Sequence, residues 1–248
     1  MGSRLRRLGV AGCAILLMLG LVAGCGGTTA SVGVTPSPSG PITNAQALAY
    51  AHAVNLQPGE LPGFTSSGGE TQAPKPGRLA LEEIRCSGAV NPDRQIAQID
   101  STELSAGRAI HARIIKSTVG VWPTPALVAD NNNPLRKSRA RSCFVRFHQA
   151  LNEPTNRERR FTSIGRFTVT TVSNPLPGVS NSFLTTMNEA RLRRSGAVLI
   201  HIYTDIFGFT SGPAEIELEA VGFGHPIPSS TEARALQPLL ARATAHAI

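Results

Sequence analysis

The stretch AVLIHIYTDIFGFTSGPAEIELEA, residues 197–220, decides the fold. Ala197 to Phe207 is almost continuously apolar, as a strand in the middle of a sheet is. Gly208 to Gly212 reads as the turn that follows. Ala214, Ile216, Leu218 and Ala220 then alternate with Glu215, Glu217 and Glu219, the period-two pattern of a half-buried strand with one wet face. Ser195-Gly196 turns the chain into this stretch from another extended run, Phe183 to Arg194. A loop through Pro175, Pro177 and Gly178 precedes that run. Earlier still, after Pro154, Phe161, Phe167 and Val169 share one face of a run ending at Val172. Short connections between successive strands favour hairpins, hence an antiparallel meander.

Helical patterns surround the meander. Thr43 and Gln46 have capping-box spacing, and Ala47, Leu48, Ala51 and Val54 follow at helical intervals. Pro58, Gly59, Pro62 and Gly63 break that pattern and open a long loop to Gly77. Leu79 to Cys86 fits a short strand or a helical turn equally. Ala109 to Trp122, rich in Ile and Val and bounded by Gly107 and Pro123, reads as a strand. Pro125 to Ala129 opens a helix that Asn131-Asn132-Asn133-Pro134 interrupts. Ala140, Cys143, Phe144, Phe147 and Leu151 lie on one face of the next helix. Ser229 and Glu232 have capping-box spacing before a last helix with Leu236, Leu239, Leu240 and Ala243 inward. The expected fold class is α+β, an antiparallel meander sheet packed against N-terminal, middle and C-terminal helices.

The chain begins with a basic segment, Arg4, Arg6 and Arg7, then an apolar run ending in Leu21-Val22-Ala23-Gly24-Cys25. That order is the order of a secretory signal. It resembles the lipobox of bacterial lipoproteins, and the resemblance implies cleavage before Cys25 and a diacylglycerol thioether on its sulfur. An uncleaved anchor helix fits less well: Leu8 to Gly24 is seventeen residues with four glycines, against the roughly twenty apolar residues a span needs. The expected organisation is a signal peptide at 1–24, a Gly/Ser/Thr/Pro-rich lipid-anchored tether at 25–42, and one extracytoplasmic domain at 43–248.

At 41% hydrophobic the chain can bury a real core. Its net charge of +8 falls to about +5 without the three signal arginines, too little and too dispersed for nucleic-acid binding. Without Cys13 and the lipid-bearing Cys25, two of the four cysteines remain, Cys86 and Cys143. An even pair in an oxidising compartment reads as one disulfide. Closing that loop would stabilise the fold by roughly 4 kcal/mol on the chain-entropy model.

No catalytic template fits. There is no HExxH, Walker or GxGxxG sequence, and Ser180 lacks the second glycine of a nucleophile elbow. The six histidines show no ligand spacing, so neither metal nor cofactor is expected. His201, Tyr203 and Asp205 share one face of a predicted strand and can orient a ligand or form a proton relay. The commoner arrangement of such residues is a mixed set of cross-strand polar pairs. Trp122, at a strand end, can line the same groove or plug the core. The glutamate row is too widely spaced for a compact cation site, and Arg191 and Arg193 are candidates to pair with it across strands. Arg136, Lys137, Arg139 and Arg141, with Arg157, Arg159 and Arg160, form a basic cluster that anionic headgroups could meet.

Ser117-Thr118-Val119-Gly120-Val121, then Pro125-Ala126-Leu127 opening a helix and Cys143 beyond it, resemble the extracytoplasmic sensor-like domains of high-GC Gram-positive bacteria. Gly59-Glu60-Leu61-Pro62-Gly63-Phe64 has the look of the loop after the first helix in such lipoproteins. The resemblance implies a cleft-bearing α+β binding domain, with no site residue transferable by position. The chain therefore reads as a non-enzymatic, lipid-anchored binding or sensor-like protein of the cell envelope, extracytoplasmic, held to the membrane through Cys25 and engaging an envelope ligand or protein. An envelope hydrolase and a carrier of an apolar molecule are the alternatives.

Overall fold

The computed structural model describes residues 40–73, 76–132, 138–151, 162–179, 181–193, 195–246 and 248. Cys25, the tether to residue 39, Phe161 and most of the basic cluster lie outside the described residues. In chain order, the described elements are α1 (Asn44–Val54), β1 (Thr65–Ser67), β2 (Thr71–Gln72), α2 (Arg78–Ser87), β3 (Ala97–Asp100), β4 (Glu103–Ala106), β5 (Arg113–Val121), α3 (Pro125–Asn132), α4 (Ser138–Leu151), β6 (Thr162–Ser173), β7 (Ser182–Arg193), β8 (Val198–Ser211), β9 (Ala214–Phe223) and α5 (Ser229–Ala245).

The described strands form one antiparallel sheet in the order β1-β4-β5-β9-β8-β7-β6. β6, β7, β8 and β9 make the expected meander, and β9 then pairs with β5 from Arg113↔Gly222 to Val121↔Ala214. The far edge of β5 is covered by two short strands in line. β3 takes Thr118 to Val121 and β4 takes Arg113 to Ile115, with a one-residue shift of register between them. Ser101 sits at that shift, where its hydroxyl accepts the Ser117 backbone N–H at 2.9 Å.

Alternation gives this sheet two faces. Ile115, Val119, Val121, Ile216, Leu218, Phe207 and Phe209 are buried together with Ala47, Ala51 and Val54 of α1 and Ala235, Leu236 and Leu239 of α5. Thr43 caps α1 with the expected box, its Oγ1 accepting from Gln46 N while Gln46 Oε1 accepts from Thr43 N. Arg242 of α5 donates to the carbonyls of Val54 and Asn55 and to Glu60, fastening the end of α1 to α5. Beneath it lies a buried polar chain: Asn55 Nδ2 donates to Ile99 O at 3.1 Å, and Ser117 Oγ donates to Asn55 Oδ1 at 2.5 Å. On the opposite face α2 and α4 pack against each other and are joined by the Cys86–Cys143 disulfide, Cα–Cα 5.7 Å.

Several local expectations change. Leu79 to Cys86 is helical, ending at Gly88 in the left-handed conformation (φ 80°). The strand expected from Ala109 starts at Arg113. Ala109–His111 is a 3₁₀ turn, needed because the chain reverses there between β4 and β5. Gly208 does not turn the chain: β8 runs to Ser211 and the turn is Gly212-Pro213. No capping box forms at Ser229, since Pro228 occupies the N-cap and Glu232 points elsewhere. β3 and β4 lie in a stretch with no expected element.

Candidate functional site

Two polar rows cross β6, β7 and β8 on the face that carries α5. Register places Thr168, Asn188 and Tyr203 opposite one another in one row and Thr170, Thr186 and Asp205 in the next, with Ala190 opposite His201 beyond them. Directly opposed residues of antiparallel strands project to the same side, about 5 Å apart. Thr168 and Thr170 are exposed, and Thr186, Asn188, His201, Tyr203 and Asp205 are half-buried. β9 adds only Gly222 and Ala220 to these rows. A side chain at Gly222 would meet the His225 carbonyl 2.2 Å away, so the His225–Ile227 segment lies directly on the sheet there and walls the rows off.

Within the rows, His201 Nδ1 is 3.4 Å from Asn188 Oδ1, and the His201 and Tyr203 rings stack at 6.0 Å with 28° between their planes. Asp205 is four residues beyond His201, about 13 Å along an extended strand, so the two form no direct relay. The partner of Asp205 is Glu232, in the first turn of α5 and 6% exposed. Asp205 Oδ1 and Glu232 Oε1 are buried without a donor. Protonated, Glu232 can donate a hydrogen bond to the Asp205 carboxylate. Burial, the Asp205 charge and the hydrogen bond to Asp205 accordingly push Glu232 up to about 8. Glu232 lies on the same helical stripe as Ala235, Leu236, Leu239 and Ala243, and a carboxylate on an apolar stripe is the sequence signal that identifies it.

The remaining candidates lie elsewhere. Trp122 is 1% exposed and belongs to the opposite face of the sheet, so it does not join His201, Tyr203 and Asp205. Its indole lies toward Glu215, but the buried indole N–H closes no hydrogen bond; Glu215 accepts from Asn131 Nδ2 at 2.9 Å. The glutamate row is therefore not uniformly wet. Glu215 is buried and its carboxyl is pushed up to about 7 by that burial, against the Asn131 donor and the Trp122 indole. Burial and the charges of Glu215, Glu219 and Asp100 push Glu217 up to about 8. Lys116 pairs with Glu219 at 2.8 Å. Burial works against the Lys116 charge, but Glu219, Asp100 and Glu103 outweigh it and hold the ammonium above the usual lysine value. Arg191 does not reach the row because β8 lies between β7 and β9; it pairs with Glu189 on its own strand.

Among the described residues, no group of three or more His, Cys, Asp or Glu is arranged to hold a metal ion, and no helix is long and apolar enough to cross a membrane. Three grooves of about 260, 350 and 260 Å³ are lined by other residues: the first around the disulfide, the second beside Pro92 and Gln95, the third between Tyr50 and Ile248.

Neither a protein-family model nor a curated protein matches the chain. Among solved structures, the extracellular domain of PknH from Mycobacterium tuberculosis is similar, with 11% identity, 84% of this chain and 99% of that chain covered, and a TM-score of 0.38. A likeness at that score supports no argument about activity or ligand.

Proposed function

We propose that this chain is a lipid-anchored, extracytoplasmic binding or sensor-like protein of the cell envelope, whose ligand surface is the polar face of β6, β7 and β8 beside α5. The lipobox-like sequence ending in Cys25 supports the anchor, and the Cys86–Cys143 disulfide suits an oxidising compartment. The observation that carries the binding reading is the set of rows Thr168-Asn188-Tyr203 and Thr170-Thr186-Asp205. Hydroxyls, an amide, a phenol and the Asp205 carboxyl stand side by side on the sheet. Such a surface suits a neutral, hydroxyl- or amide-bearing envelope molecule, held by hydrogen bonds and by the Tyr203 ring. Thermal-shift screening of the folded chain against envelope glycans, lipids and peptides should give a ligand whose affinity falls about tenfold in Asn188→Ala or Tyr203→Ala, the loss of one net hydrogen bond or ring contact. Binding that is indifferent to both changes would remove the rows from the site.

The Asp205–Glu232 pair favours one second reading, an envelope hydrolase. Two carboxyls sharing a proton can supply acid and base in one step. Turnover of a hydrolase substrate that disappears in a folded Glu232→Gln variant would replace the binding reading. No observation among the described residues favours a carrier.

A further inference from the structure

We propose that the Cys86–Cys143 disulfide is a reactive site for thiol–disulfide exchange with a small-molecule thiolate, and that Arg146 makes it so. The bond forms part of the wall of a groove of about 260 Å³ together with Leu79, Glu82, Glu83, Arg146 and Phe147. Cys86 is half-buried and faces this groove, whereas Cys143 is 3% exposed. The Arg146 guanidinium lies across both sulfurs, with Nη2 2.7 Å from Cys86 Sγ and 3.8 Å from Cys143 Sγ. Of the two acidic residues in the groove wall, Glu82 is engaged by Arg78 at 2.9 Å, and burial holds the Glu83 carboxyl above the usual carboxylate range.

The asymmetry sets the course of the exchange. A thiolate entering the groove reaches Cys86 Sγ and bonds to it. The Cys86–Cys143 bond breaks, and its electron pair stays on Cys143 Sγ. A thiolate buried among apolar groups is a poor leaving group, because burial raises its proton affinity. Arg146, one turn farther along α4 and exposed, has its Nη2 3.8 Å from Cys143 Sγ, near enough for this permanent cation to offset part of that cost. A second thiolate then attacks the external sulfur of the mixed disulfide and leaves with it as the external disulfide, while Cys86 departs as a thiolate. Two external thiols are oxidised, the protein disulfide is reduced to two thiols, and the protons of the former pass through solvent to the latter. A disulfide that only joined two helices would need neither the groove nor the guanidinium.

The test uses the full oxidised chain, with thiol release followed without denaturant in 2-mercaptoethanol and, separately, in reduced thioredoxin. Reduction by 2-mercaptoethanol in the native state is expected, about tenfold slower in Arg146→Gln and intermediate in Arg146→Lys. In the reduced protein, alkylation of Cys143 should need a higher pH in Arg146→Gln than in the native sequence, a change that a merely structural arginine would not produce. Equal rates in the native and Arg146→Gln chains, or reduction that proceeds only as fast as global unfolding, would overturn the proposal. Thioredoxin reacting while 2-mercaptoethanol does not would overturn the small-thiol assignment. Should Arg146→Gln fail to fold, Arg146→Lys against native chain decides, since equal rates and alkylation profiles there would leave the guanidinium without a role.

Discussion

Glu232 shows what a single position can hide. Its spacing from Ser229 fits a cap, yet the chain places it against Asp205 across an element boundary. The consequence is a pH dependence of definite sign. Because its folded pKa of about 8 lies above the ordinary carboxyl value, the folded state binds a proton that the unfolded chain has released. The stability from that proton is complete below about pH 4.5 and is lost as pH rises through about 8. Glu232→Gln keeps the shape and removes the titration. At pH 8 to 9 it should melt about 2–4 °C above the native sequence, roughly what 1 kcal/mol does in a domain of this size. Its advantage should shrink toward pH 5. An unchanged profile of Tm against pH in this variant would show that the pair does not share a proton. His201, Tyr203 and Asp205 were legible as a set because period two puts them on one face. That His201 turns to Asn188 while Asp205 turns to Glu232 depends on strand register and on where α5 lands.

At the scale of elements, the long strands and the amphipathic helices were readable because each carries its period over many residues. β3 and β4 were not. The shift at Ser101 breaks their alternation after four residues, and their inward positions are small or interrupted: Ala97, Ile99, Leu104 and Ala106. Gly208 was misleading for another reason. It stands opposite Phe183 on β7, whose ring atoms lie 2.1 Å from where a Cβ would be, so the glycine makes room for a buried aromatic ring. Gly208→Ala should therefore destabilise the fold by about 1–3 kcal/mol in urea unfolding, the usual range for overpacking. Phe183→Leu in the same chain should recover part of that loss, because the clash is with the ring. Additive losses in the double variant would place the cost of Gly208→Ala somewhere other than Phe183.

At the scale of the whole molecule, the sheet buries one face under α1 and α5 and carries the disulfide-linked α2 and α4 on the other. The N-terminal sequence adds a statement about place. If Cys25 is lipidated, mass spectrometry of the mature protein should find an acylated Cys25 at its N-terminus. Cys25→Ala should release the processed chain from the membrane fraction, and an unmodified mature N-terminus at another residue would end that reading. The sequence by itself determined the α+β class, the β6–β9 meander and the pairing of Cys86 with Cys143, because periodicity, turn residues and cysteine parity are local or countable. Only the tertiary structure decided which polar groups meet: Glu232 with Asp205, Asn131 with Glu215, and Arg146 with the disulfide. The last joins residues one helical turn apart on α4 to a cysteine fifty-seven residues earlier. Such contacts join segments far apart in the chain, and their geometry follows from register and helix docking, which are properties of the assembled core.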